Sequence, residues 1–152
     1  MTGHDGIVVG VDGSAASVAA LRWAIARAKA DHTTVTAVEV RPVLHPLPGA
    51  AYSIQPYGTA PPAERLRSRL HDTVVATVAA TVAVDTDAPQ VAELQLEGDP
   101  GVELTRVVAD RGAMLVLGYH PHSRVTEFLL GRVTGECLRH SRRPVVLVPV
   151  TD

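Results

Sequence analysis

The feature that most constrains this chain is an alternation. Short runs rich in β-branched residues are separated by segments whose apolar residues recur at helical spacing, and the pattern continues along nearly the whole length. Residues 7–11, 33–40, 91–97, 113–117 and 144–150 read as strands. Residues 15–30 carry Val18, Leu21, Ile25 and Ala28 on one helical face, with Trp23 beside it. A second helix is expected from 63 to about 84 on Leu66, Leu70, Val74 and Val78, a third around Val102, Leu104, Val107 and Val108, and a fourth over 131–140. Strands separated by helices, with no internal linker, imply a parallel sheet covered on both faces and joined by right-handed crossovers. The expected fold is therefore α/β, a doubly wound five-stranded parallel sheet forming a single domain over residues 1–152.

Local punctuation supports these boundaries. Asp12-Gly13-Ser14 supplies a turn and then a helix cap, and Ser14 reads as an N-cap rather than a nucleophile. Gly98-Asp99-Pro100 ends one strand and opens a helix, and reads as punctuation before it reads as a site. Residues 41–62 contain six prolines and no usable period, so a long loop is expected there, placed to act as a lid with Tyr52 or Tyr57 stacking on a ligand.

Composition narrows the function classes. With 46% hydrophobic and 20% charged residues in 152, the chain can bury one ample core, and a formal charge of −2 gives no reason to expect nucleic acid. Cys137, the only cysteine, has no internal disulfide partner; the first residues lack a signal-peptide pattern, and no apolar run approaches the ~20 residues of a membrane helix. The expectation is a cytoplasmic protein without a membrane span.

In a doubly wound sheet, ligands sit beyond the carboxyl ends of the strands, where Asp12, Val40, Gly98 and Gly118 fall. Known catalytic apparatus is missing: there is no Gly-x-x-x-x-Gly-Lys-Ser/Thr, no full Gly-x-Gly-x-x-Gly after the first strand and no Gly-x-Ser-x-Gly. The sole lysine, Lys29, lies in the first helix, away from the position after the fifth strand that a phosphorelay receiver uses. Binding is expected rather than catalysis. His120 and His122 have the spacing of a metal pair but no clear third ligand, so they read as solvated loop residues. Arg139, Arg142 and Arg143 suit a helix C-terminus, where cations offset the dipole.

The stretch 115–150 carries a resemblance. A strand ending in Gly118, a loop, Gly131 opening a helix, a short basic stretch and Pro144-Val145-Val146-Leu147-Val148 resemble the closing part of universal stress proteins. Ile7-Val8-Val9-Gly10-Val11-Asp12-Gly13-Ser14 and Glu97-Gly98-Asp99-Pro100 are similar as well, so the likeness covers essentially the whole chain. It implies an adenine-nucleotide-hydrolase-like, Rossmann-like fold and a homodimer paired through the last strand, Val145 to Val148.

The family's nucleotide-binding branch has Gly-x-x-Gly, nine residues, then Gly-Ser or Gly-Thr. Gly118 and Gly131 keep that spacing, while Pro121 and Arg132 replace the second glycine and the hydroxyl residue. By resemblance, Asp12 lies toward the adenosine, Val40 contributes main chain to the adenine pocket, and Leu117 and Gly118 line the ribose-phosphate path. The backbone N–H groups of Gly131, Arg132, Val133 and Thr134 open a helix toward phosphate. Pro121 offers no N–H to a phosphate loop. Two functions are implied: a stress-response regulatory module with a degenerate site for ATP, with magnesium, or a dimeric stress interaction protein that takes no nucleotide.

Overall fold

The computed structural model describes residues 5–43, 63–82, 87–121 and 131–150. Five strands and four helices alternate as β1 (Gly6–Gly10), α1 (Ala15–Asp31), β2 (Val35–Arg41), α2 (Ala63–Thr81), β3 (Val91–Glu97), α3 (Pro100–Arg111), β4 (Gly112–Tyr119), α4 (Arg132–His140) and β5 (Val145–Pro149). All strand pairs are parallel and the order is β3-β2-β1-β4-β5, which is the doubly wound sheet expected from the alternation. β4 runs past the expected 113–117 because its pairing continues from Gly6–Gly112 at one end to Tyr119–Pro149 at the other. Most of the expected 41–62 loop, with Tyr52 and Tyr57, lies outside the described residues, as does His122.

Two apolar layers sandwich the sheet. Ile7, Val9 and Val11 point to the layer that α1 and α2 close with Leu21, Ile25, Leu70 and Val74. Val8, Val38, Leu115 and Leu117 point to the other, closed by Leu104, Val107 and Val108 of α3 and Cys137 of α4. Ile7, Val8 and Val9 of β1 thus alternate between layers yet are all buried, which is why strands of this kind read as continuous apolar runs. A fully buried leucine or isoleucine such as Leu21 or Ile25 contributes roughly 2 kcal/mol through removal of its apolar surface from water.

The helix faces differ in detail from the expected ones. In α1 the buried stripe is Ala16, Ser17, Ala20, Leu21, Ala24, Ile25 and Ala28, and Val18 sits at its margin, half-buried. In α3, Val102 is 58% exposed; the buried stripe begins at Gly101 and continues through Leu104, Val107 and Val108, at spacings of three and four. In α2, the hydroxyls of Thr73, Thr77 and Thr81 each donate to the carbonyl four residues earlier, so the threonines satisfy themselves within the helix.

β5 is an edge strand. It pairs with β4 alone among the described residues, and Val145 to Val148 are all partly buried.

Candidate functional site

Strand order reverses between β1 and β4, since α1 and α2 carry the chain one way along the sheet and α3 and α4 the other. At that point the carboxyl ends of β1, β2 and β4 face the N-termini of α1, α3 and α4 across a crevice of about 180 Å3. Its floor is the second apolar layer continued outward: Val38 and Val40 from β2, Leu104 from α3 and Leu117 from β4. A flat apolar ligand would lie on side chains that the core already holds in place.

The β1 side of the rim is polar and tightly organised. Asp12 Oδ1 accepts from the Ser14 backbone N–H at 2.9 Å, and Ser14 Oγ accepts from the Ser17 N–H at 3.2 Å, capping α1. The Ser17 hydroxyl donates to the Ser14 carbonyl at 2.9 Å. Asp12 is therefore both the turn former and a crevice residue. Burial works against its charge, but bonds from the Ser14 hydroxyl and N–H and from Ser17 outweigh it and hold its carboxyl below the usual range.

Beside the start of α1 lies Gly118. A Cβ added here would overlap the main chain of Ala16, so β4 and the start of α1 meet backbone to backbone and only glycine fits. Gly131 precedes α4 with φ +80, in the region that favours glycine, and makes no side-chain cap. The next turn brings Val133 and the buried Thr134 to the crevice wall.

Pro100 and Val133 also border a second cleft of about 510 Å3, next to the first, which adds Pro42, Val43, Gly98, Asp99, Arg132 and Glu136. Asp99 caps α3 by accepting from the Val102 N–H at 3.2 Å, and that bond, with the Arg132 guanidinium close by, holds its carboxyl below the usual range. Arg132, exposed, is paired with Asp99 at 3.6 Å and with Glu136 at 3.3 Å.

Of the residues singled out from sequence, Asp12, Val40, Leu117, Gly118, Val133 and Thr134 converge on the crevice, and Arg132 lines the adjoining cleft. Gly131 sets the entry to α4 and lines neither cavity. Gly98-Asp99-Pro100 ends β3 and opens α3, as expected, and all three also border the cavities. Gly10, Ser17, Val38 and Leu104 were not anticipated. Their positions follow from the fold, since the last inward residue of a strand and the first inward residue of a helix must flank any crevice at the switch point. No group of three or more His, Cys, Asp or Glu side chains poised to hold a metal occurs among the described residues.

Fold and crevice together define a doubly wound α/β domain with an open crevice at the switch point. Its membership is specific: residues 4–149 match the model of the universal stress protein family, and the chain belongs to that family. It is 32% identical over 152 residues to a universal stress protein of Mycobacterium tuberculosis (strain CDC 1551 / Oshkosh), a match covering 95% of this chain and 48% of that protein. A universal stress protein of Mycobacterium bovis (strain ATCC BAA-935 / AF2122/97) matches with the same identity and coverage. The chain thus spans about half the length of the curated relatives it matches.

Solved structures share the fold. A universal stress protein crystallised in complex with cAMP superposes with a TM-score of 0.67 at 21% identity, covering 97% of this chain and 98% of that one. The universal stress protein from Archaeoglobus fulgidus in complex with dAMP gives 0.61 at 17% identity, covering 97% and 99%. Among the described residues, no helix is long and apolar enough to cross a membrane.

Proposed function

We propose that this domain is a stress-response binding module whose switch-point crevice takes an adenine nucleotide, and that it is not an enzyme. The observation that carries the reading is the crevice itself: an apolar floor of Val38, Val40, Leu104 and Leu117 beside the ionised carboxylate of Asp12. A planar base suits the floor, and a carboxylate at the rim suits ribose hydroxyls, as in other sites that combine apolar walls with a few placed polar groups. The related structures in complex with cAMP and dAMP support the choice of adenine. At the far end, the first-turn amides of α4 can meet a phosphate, while Pro121 has no N–H to give. ATP, with magnesium bound to its phosphates, is the test ligand this reading inherits from the family pattern.

The module works in the cytoplasm as a homodimer in which β5 pairs with its copy. An apolar edge strand invites such pairing, and Val145 to Val148 leave one ladder of backbone groups without a strand partner among the described residues. A second reading is favoured by one observation: the residue in the hydroxyl position of the phosphate pattern, Arg132, is held by two carboxylates. On that reading the domain is a dimeric interaction protein that takes no nucleotide.

Calorimetric titration of nucleotide-stripped protein with ATP and magnesium, with GTP as control, separates the two. Adenine-selective binding is expected. Absence of heat with ATP, and with AMP titrated in the same way, at millimolar concentration rejects the nucleotide reading and leaves the interaction protein.

A further inference from the structure

We propose that Asp99, Arg132 and Glu136 form a charge selector that makes the crevice prefer adenine ligands with one phosphate over those with three. The inference rests on the nucleotide reading and specifies its ligand class. It starts from the second cleft, which continues the crevice past Pro100 and Val133 toward α4. Among the described residues lining the two cavities, three are carboxylates, Asp12, Asp99 and Glu136, and one is a guanidinium, Arg132. That single cation is already engaged by two of the three anions.

The selector is held in place from both helices. Asp99 is anchored as the cap of α3. Glu136 lies against Gly101, where any Cβ would collide with its carboxylate, so its stem cannot withdraw toward α3. Arg132 bridges the two from the first turn of α4. Among the described residues, the positive potential left for a ligand is mainly that of the α4 N-terminus, equivalent to roughly half an elementary charge and confined to the first turn. One phosphoryl group can be met there. The further phosphates of ATP would have to take Arg132 from its partners and lie beside Asp99 and Glu136, where like charges repel.

The test is calorimetric titration with adenosine, AMP and ATP in metal-free buffer, on the unaltered protein and two variants. AMP is expected to bind about tenfold more tightly than ATP, a difference of about 1.4 kcal/mol. In the double variant Asp99→Asn with Glu136→Gln, the ratio of ATP to adenosine affinity is expected to rise about tenfold. Asparagine caps helices as well as aspartate does, and glutamine preserves the shape at Gly101, so the fold is kept. In Arg132→Ala the preference of AMP over adenosine is expected to shrink while the melting temperature stays put, because the pairs it loses are exposed. ATP binding more tightly than AMP, or an ATP to adenosine ratio unchanged in the double variant, overturns the selector alone. No binding of adenosine, AMP or ATP overturns the nucleotide reading and the selector with it.

Discussion

The two ends of the crevice are built on different principles. At the β1 end, Asp12, Ser14 and Ser17 are tied by local bonds that also start α1, and the floor beneath them is core. At the α4 end, Gly131 offers no side-chain cap, and Arg132 is held only by exposed ion pairs. One end is needed for folding whatever it binds; the other can change with little cost to stability. One departure from the family's phosphate pattern, Arg132, falls at the second end. Ligand chemistry can therefore drift there while the fold stays fixed.

Four measurements can break or sharpen this contrast. The largest effect is expected from Gly118→Ala, which drives a methyl into the Ala16 main chain that no rotamer change can relieve; a loss of about 3 kcal/mol in denaturant unfolding is expected. Next comes Leu104→Ala, which opens a gap in both the second apolar layer and the crevice floor, for about 2–3 kcal/mol, the low end for a leucine that borders an open crevice, and a matching loss of ligand affinity. A stable Leu104→Ala with intact binding would show that core and floor are separate after all.

Removing the α1 cap by Ser14→Ala is expected to cost about 1 kcal/mol in the same unfolding assay. The smallest effect concerns acid. Because the folded-state pKa of Asp12 is depressed, its contribution to stability is complete above the ordinary carboxylate range and is lost as pH falls through the depressed value. Asp12→Asn retains an acceptor for the turn and should flatten the acid limb of the stability profile between those two values. An unchanged limb would mean that the bonds at this end add nothing beyond geometry.

How much of this was legible beforehand follows the same division. Strand and helix order could be read because each element repeats its period over several residues, and parallel strands buried on both faces leave long β-branched runs such as Ile7-Val8-Val9. The turn at Asp12 and the cap at Ser14 were legible because capping is local chemistry between residues two or three apart. The exposure of Val102 was not, since a two-residue apolar cluster at a helix start fits either of two faces until the partner helix is placed. Nor were the pairs of Arg132 with Asp99, which join residues far apart in the chain through the approach of α3 and α4. Gly118 was recognisable as part of a pattern, but its backbone contact with Ala16 exists only in three dimensions.

That contact also has a mechanical consequence. Where two main chains touch without an intervening side chain, there is no rotamer to swing and no soft layer to compress, so the end of β4 and the start of α1 form one stationary jaw. The opposite jaw, the first turn of α4, is entered through Gly131, which meets no such backbone contact among the described residues. If the proposed nucleotide binds, a label on α4 is expected to register occupancy more strongly than one on α1.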